Sequence, residues 1–146
     1  MLIWVSCISL NILLEIGDMI RNMGRISWVY IDNQELVELA RDDGSRMIVL
    51  DTNKGYKPML KYRDTLLEKF NFELLSEYGL TDMVNVFLYK NNHYTLCYDC
   101  DEGMVTLETL PRTEEELNEY RKIAAFLQSI HSSHVHSCFV PKDGCP

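Results

Sequence analysis

Between Met83 and Leu110 three short segments follow one another: MVNVFLYK, HYTLCYD and MVTLETL. Each alternates apolar and polar residues and is rich in β-branched and aromatic side chains, the pattern of a strand with two differently placed faces. Asn91-Asn92 separates the first two, and the acidic stretch CYDCDEG (Cys97 to Gly103) joins the second to the third. Connections this short can only join antiparallel neighbours, so this part of the chain predicts a meander and rules out a helical bundle. Val84, Val86 and Leu88 are expected on one face of their strand, and Tyr94, Leu96 and Tyr98 on one face of the next.

Upstream, RISWVYI reads as a strand. Asp32 has Glu35 three residues later, a capping-box spacing that predicts a short helix over LVELAR, stopped by Asp42-Asp43-Gly44. Arg46 to Leu50 then gives a second strand, so the start of the chain is expected to be a parallel βαβ unit. DTNKGYKPMLKYR reads as a loop held by Asn53, Gly55 and Pro58. A helix is expected from Asp64 or Thr65, with Leu66, Leu67, Phe70, Leu74 and Tyr78 at helical spacing and Gly79 as its cap. After Pro111, Thr113 and Glu116 predict a capped helix running to about Ser129, with Leu117, Tyr120, Ala124 and Leu127 as its buried stripe. The expected fold is therefore α+β: a mixed sheet, βαβ first and then a three-stranded antiparallel meander, packed by about three helices.

A chain of 146 residues buries enough surface to fold without disulfide or metal. The expected organisation is an apolar N-terminal element over 1–22, one domain over 23–130 and a tail over 131–146. MLIWVSCISLNILLEI has no charge before Glu15, which is too short a run to span a bilayer, and it lacks the basic start of a secretory signal. A docked core element is the leading reading, with a membrane anchor or signal, or upstream translation ahead of a start at Met19 or Met23, as the alternatives. Five cysteines, Cys7, Cys97, Cys100, Cys138 and Cys145, form no regular framework, which points to a reducing, cytoplasmic setting.

The formal net charge is −8. That balance works against nucleic acid and favours a protein partner with a basic surface. The charge is unevenly spread. From Asp99 to Glu119 the acids Asp99, Asp101, Glu102, Glu108, Glu114, Glu115, Glu116 and Glu119 face Arg112 alone. The chain is thus expected to act by binding, as an inhibitor or immunity-type module does. Its partner-binding residues are Asp99, Asp101, Glu102, Glu114, Glu115, Glu116 and Glu119, provided the hairpin tip and the last helix lie side by side. Conversely Lys54, Lys57, Lys61 and Arg63 form a basic stretch, mixed with Tyr56 and Tyr62, whose chemistry suits a phosphate ligand.

Candidates for chemistry are few. Cys97 and Cys100 form a C-x-x-C pair which, with His131 and His134, would supply four zinc ligands if the two pairs met. Residues three apart on a strand point to opposite faces, so the first pair converges only if its strand ends at Asp99. No G-x-S-x-G, H-E-x-x-H or G-x-G-x-x-G pattern is present, and the expectation leans away from an enzyme. The six residues Ile48 to Asn53, IVLDTN, resemble the opening strand of PIN-domain ribonucleases. That resemblance implies a metal-dependent nuclease with Asp51 as a metal ligand.

Overall fold

Asp32 and Asn33 both adopt left-handed backbone angles, φ 50° and 66°. Two consecutive positive φ values make the two-residue turn that matches the twist of a β-hairpin, and Asp and Asn tolerate that region best among residues with a side chain. The chain therefore turns back as a strand where the capping-box spacing predicted a helix. In the computed structural model, residues 24–52, 56–79 and 82–139 are described, with side chains through residue 130. The N-terminal element expected over 1–22 lies outside them.

Among the described residues there are seven strands and two helices: β1 (Gly24–Ile31), β2 (Gln34–Arg41), β3 (Arg46–Asp51), α1 (Lys57–Glu68), β4 (Glu73–Tyr78), β5 (Met83–Tyr89), β6 (Asn92–Asp99), β7 (Met104–Thr109) and α2 (Glu114–Phe139). The strands form one sheet in the order β1-β2-β3-β7-β6-β5-β4. Every neighbouring pair is antiparallel. This corrects the expected fold: there is no βαβ start, the sheet is not mixed, and two described helices pack it rather than about three. Two meanders, β1-β2-β3 and β4-β5-β6-β7, meet where β3 pairs with β7.

Local chemistry explains the other departures. Pro58 stands in the first turn of α1, where its missing N–H costs nothing and its fixed φ favours helix. The helix thus begins at Lys57, inside the segment expected to be a loop, and runs through Asp64 and Thr65, where it was expected to start. Asn71, at φ 60°, follows the end of α1, and Glu73–Tyr78 becomes the edge strand β4 instead of a helical continuation. Lys90 and Asn91, with φ 49° and 62°, make the β5–β6 turn one residue earlier than expected. The meander itself lies as expected, and so does the cap of α2: the Glu116 amide donates to Thr113 Oγ1 at 3.1 Å. α2 runs on to Phe139, into the stretch expected to be a tail.

Both described helices cover the same face of the sheet. Leu36, Ile48, Phe87, Tyr94, Leu96, Val105 and Leu107 point to that face and meet Met59, Tyr62 and Leu66 of α1 and Leu117, Tyr120, Ile123, Ala124 and Leu127 of α2. Tyr120 donates its hydroxyl to the Leu107 carbonyl at 2.6 Å, tying α2 to β7. Glu38, fully buried on β2, accepts from Arg121 Nε at 2.8 Å and Nη2 at 2.7 Å, and from Arg46 Nη1 at 3.0 Å. A buried carboxylate is tolerable only with such charged partners, and here they lock α2 onto β2 and β3. No described helix is long and apolar enough to cross a membrane.

Candidate functional site

The turn that raised the question of a metal knuckle is built around Asp99. Its carboxylate accepts the Asp101 amide at 3.0 Å and the Glu102 amide at 3.3 Å, while its carbonyl accepts the Gly103 amide at 2.7 Å. Gly103, at φ 66°, closes the bend into β7. Asp82, just before β5, reaches the same end of the sheet, and its Oδ1 accepts the Cys100 amide at 2.9 Å. Asp51 ends β3 at this end too, opposite Val105, and is buried. Asp51, Asp82, Asp99, Asp101 and Glu102 are thus gathered at one end of the sheet. Among the described residues, the ion pairs leave out Asp82, Asp99 and Asp101. The carboxylates of Asp82 and Asp99 are answered by backbone amides.

The other acids expected in the partner surface lie elsewhere. β7 runs from the turn at Met104 to Thr109, and α2 begins beyond it at Glu114. Six residues of strand separate the two groups by roughly 17–20 Å. Glu114, Glu115 and Glu116 form the first turn of α2, and Glu119 reaches the β5–β6 turn. Glu116 accepts from Arg112 Nη2 at 2.7 Å and from the Arg112 amide at 2.8 Å, and this guanidinium holds its carboxyl below the usual Glu range. Glu119 accepts from Lys90 at 2.8 Å and from the Tyr89 hydroxyl at 2.7 Å. The Lys90 ammonium is the main reason its carboxyl is likewise depressed. Glu114 and Glu115 are exposed in the first turn of α2, where carboxylates favour the positive helix end. Glu108, on β7, is paired with Arg41.

Cys97 faces away from the helices, opposite Val84 and Thr106, and is half-buried. Burial first, then Asp82 and Asp99, pushes its thiol up, the reverse of what a nucleophile or redox thiol requires. Cys100 packs against the helix-side core instead. The two thiols therefore do not converge. His131 and His134 fall within α2, with side chains beyond those described. Among the described residues no group of three or more His, Cys, Asp or Glu side chains is arranged to hold a metal ion. Asp51 lies near Tyr62, whose hydroxyl is pushed up by burial and then by this carboxylate.

The basic stretch is dispersed. Lys54 is outside the described residues, Lys57 and Lys61 are exposed on α1, and Arg63 pairs with Glu77 at 3.0 Å and Asp64 at 3.2 Å. The Glu38–Arg46–Arg121 centre is not read from the sequence because residues 36–41 are expected there to be helical. On a strand, Glu38 between Val37 and Leu39 is the signal that would have found it. Comparison with protein-family models, with curated proteins and with solved structures finds no match.

Proposed function

We propose that this chain is a binding module that takes a basic protein segment at the end of the sheet formed by Asp82, Asp99, Asp101 and Glu102. The observation that carries the proposal is that the carboxylates of Asp82 and Asp99 are answered by backbone amides within the turns, and that among the described residues no cation pairs with Asp82, Asp99 or Asp101. Negative potential concentrated at one end of a protein of net charge −8 steers cationic partners and raises the rate of encounter. Glu116 and Glu119 are engaged with Arg112, Lys90 and Tyr89 and have a structural job, so they leave the proposed surface. Glu114 and Glu115 become the control.

The test compares three immobilised proteins in the same extract: the native chain, Asp101→Lys/Glu102→Lys, and Glu114→Lys/Glu115→Lys. Asp99 is kept because it holds the turn. The proposal predicts basic proteins captured by the native chain and by the helix variant, and at least tenfold less of them on the turn variant. The same proteins should elute as salt is raised. Equal capture by all three removes the turn from any binding role.

A further inference from the structure

The sheet is apolar on both faces, and the described helices cover only one. On the opposite face Leu39, Met47, Val49 and Met104 form a second cluster, with Ile26 and Val37 packed against it. Leu39 is 1% exposed, and Met47 and Val49 6% each. Neighbouring strands shield the flanks of such side chains but not their outward ends. Exposure this low on a sheet face requires another layer packed about 10 Å away. Neither α1 nor α2 supplies it with its described side chains, because the buried ones among these all belong to the cluster on the other face.

We infer that residues 1–22 of this chain are that layer, docked across β1, β2, β3 and β7. Length and position single the segment out. Residues 53–55 and 80–81 are too few to cover a cluster that spans four strands, about 14 Å across. Residues 140–146, VPKDGCP, follow a helix on the far side and bring one large aliphatic side chain, Val140. The first 22 residues bring Leu2, Trp4, Ile8, Leu10, Ile12, Leu13, Leu14 and Ile16. Even coiled as tightly as an α-helix they reach about 33 Å, more than twice the width to be covered. They also arrive at the right place. The chain enters the sheet at Gly24, on the edge strand β1 beside the cluster. Gly24 has φ 152°, and a Cβ there would meet the Ala40 carbonyl oxygen at 1.9 Å, so the entry bend is one that only glycine makes. The apolar segment 1–22 thus becomes an internal cover of the sheet.

Photo-crosslinking in the full chain tests this. p-Benzoylphenylalanine is placed at Trp4, Ile8, Leu10 or Leu13, one position at a time, and the products are mapped by mass spectrometry. Benzophenones insert readily into methionine side chains, and the proposal predicts products of monomer mass joined at Met47 or Met104 from at least one position. Attachment confined to α1 or α2, or no monomer-mass product from any position, overturns it. Dimer-mass products joined at Met47 or Met104 overturn it as well, in favour of a second copy as the cover. In addition, a chain beginning at Met23 should bind an anilinonaphthalene dye severalfold more strongly than the full chain, and unchanged dye binding contradicts the inference. If the shortened chain fails to fold, the crosslinking result decides.

Discussion

Asn85 stands at the middle of β5, directly opposite Leu96 and on the side of the sheet covered by the helices. It is fully buried, and among the described residues neither its Oδ1 nor its Nδ2 has a hydrogen-bond partner. A buried amide left in this state costs about 1–3 kcal/mol for each unmet group, so this residue works against the stability of the core around it. Asn85→Val, the branched aliphatic residue nearest to it in volume, is expected to raise the thermal midpoint, corresponding to a gain of about 1 kcal/mol or more; a fall in the midpoint would show that the amide is satisfied in solution. Glu38 is the opposite case, a buried acid whose two oxygens accept three charged hydrogen bonds from Arg121 and Arg46. Glu38→Ala should cost on the order of 3 kcal/mol in denaturant unfolding, because it leaves two guanidinium groups facing apolar surface. Glu38→Leu together with Arg121→Met should recover most of that loss. A single substitution costing less than about 0.5 kcal/mol would mean that α2 is held by its apolar stripe alone. Asn85 carries no signal of its role in the sequence, and Glu38 carries one only once residues 34–41 are read as a strand.

At the scale of elements, what could be read in advance was what depends on short range. The β5–β6–β7 meander, the Thr113 cap of α2 and the stripe Leu117, Tyr120, Ala124 and Leu127 follow from periodicity within one segment, and each lies as expected. β2 was misread because both faces of its strand are packed: Leu36 and Glu38 face the helices while Val37 and Leu39 face the second cluster. With both faces apolar, the period-two signal disappears, and QELVELAR looks equally like one face of a helix. The turn before it held the deciding information. If Asp32-Asn33 makes a left-handed hairpin turn, Asn33→Val forces a β-branched residue to φ 66° and should cost about 1–3 kcal/mol, while Asn33→Gly should be neutral or stabilising. A helix starting at Asp32 would give the reverse, tolerating Val and losing stability with Gly. Thermal melts of the two variants separate these outcomes. α1 and β4 were displaced for a related reason: Pro58 was weighed as a loop residue, although a proline in a first turn starts helices as readily.

For the whole molecule, charge placement follows from topology. The acids between Asp99 and Glu119 are crowded in sequence, but β7 lies between β3 and β6 and carries the chain the length of the sheet before α2 begins. The crowded acids are therefore divided, one group closing a turn against backbone amides and the other tied to Arg112, Lys90 and the start of a helix. No reading of charge along the chain reveals that division, because it depends on the direction of a single strand. The binding function proposed for the turn rests on it. The most direct test is a distance between the two groups: nitroxide labels at Glu102→Cys and Glu115→Cys, in a chain whose five native cysteines are replaced by serine, measured by pulsed electron spin resonance. A principal separation of roughly 20 Å or more is the predicted result. A principal separation within about 12 Å would put all the acids on one continuous surface and contradict it.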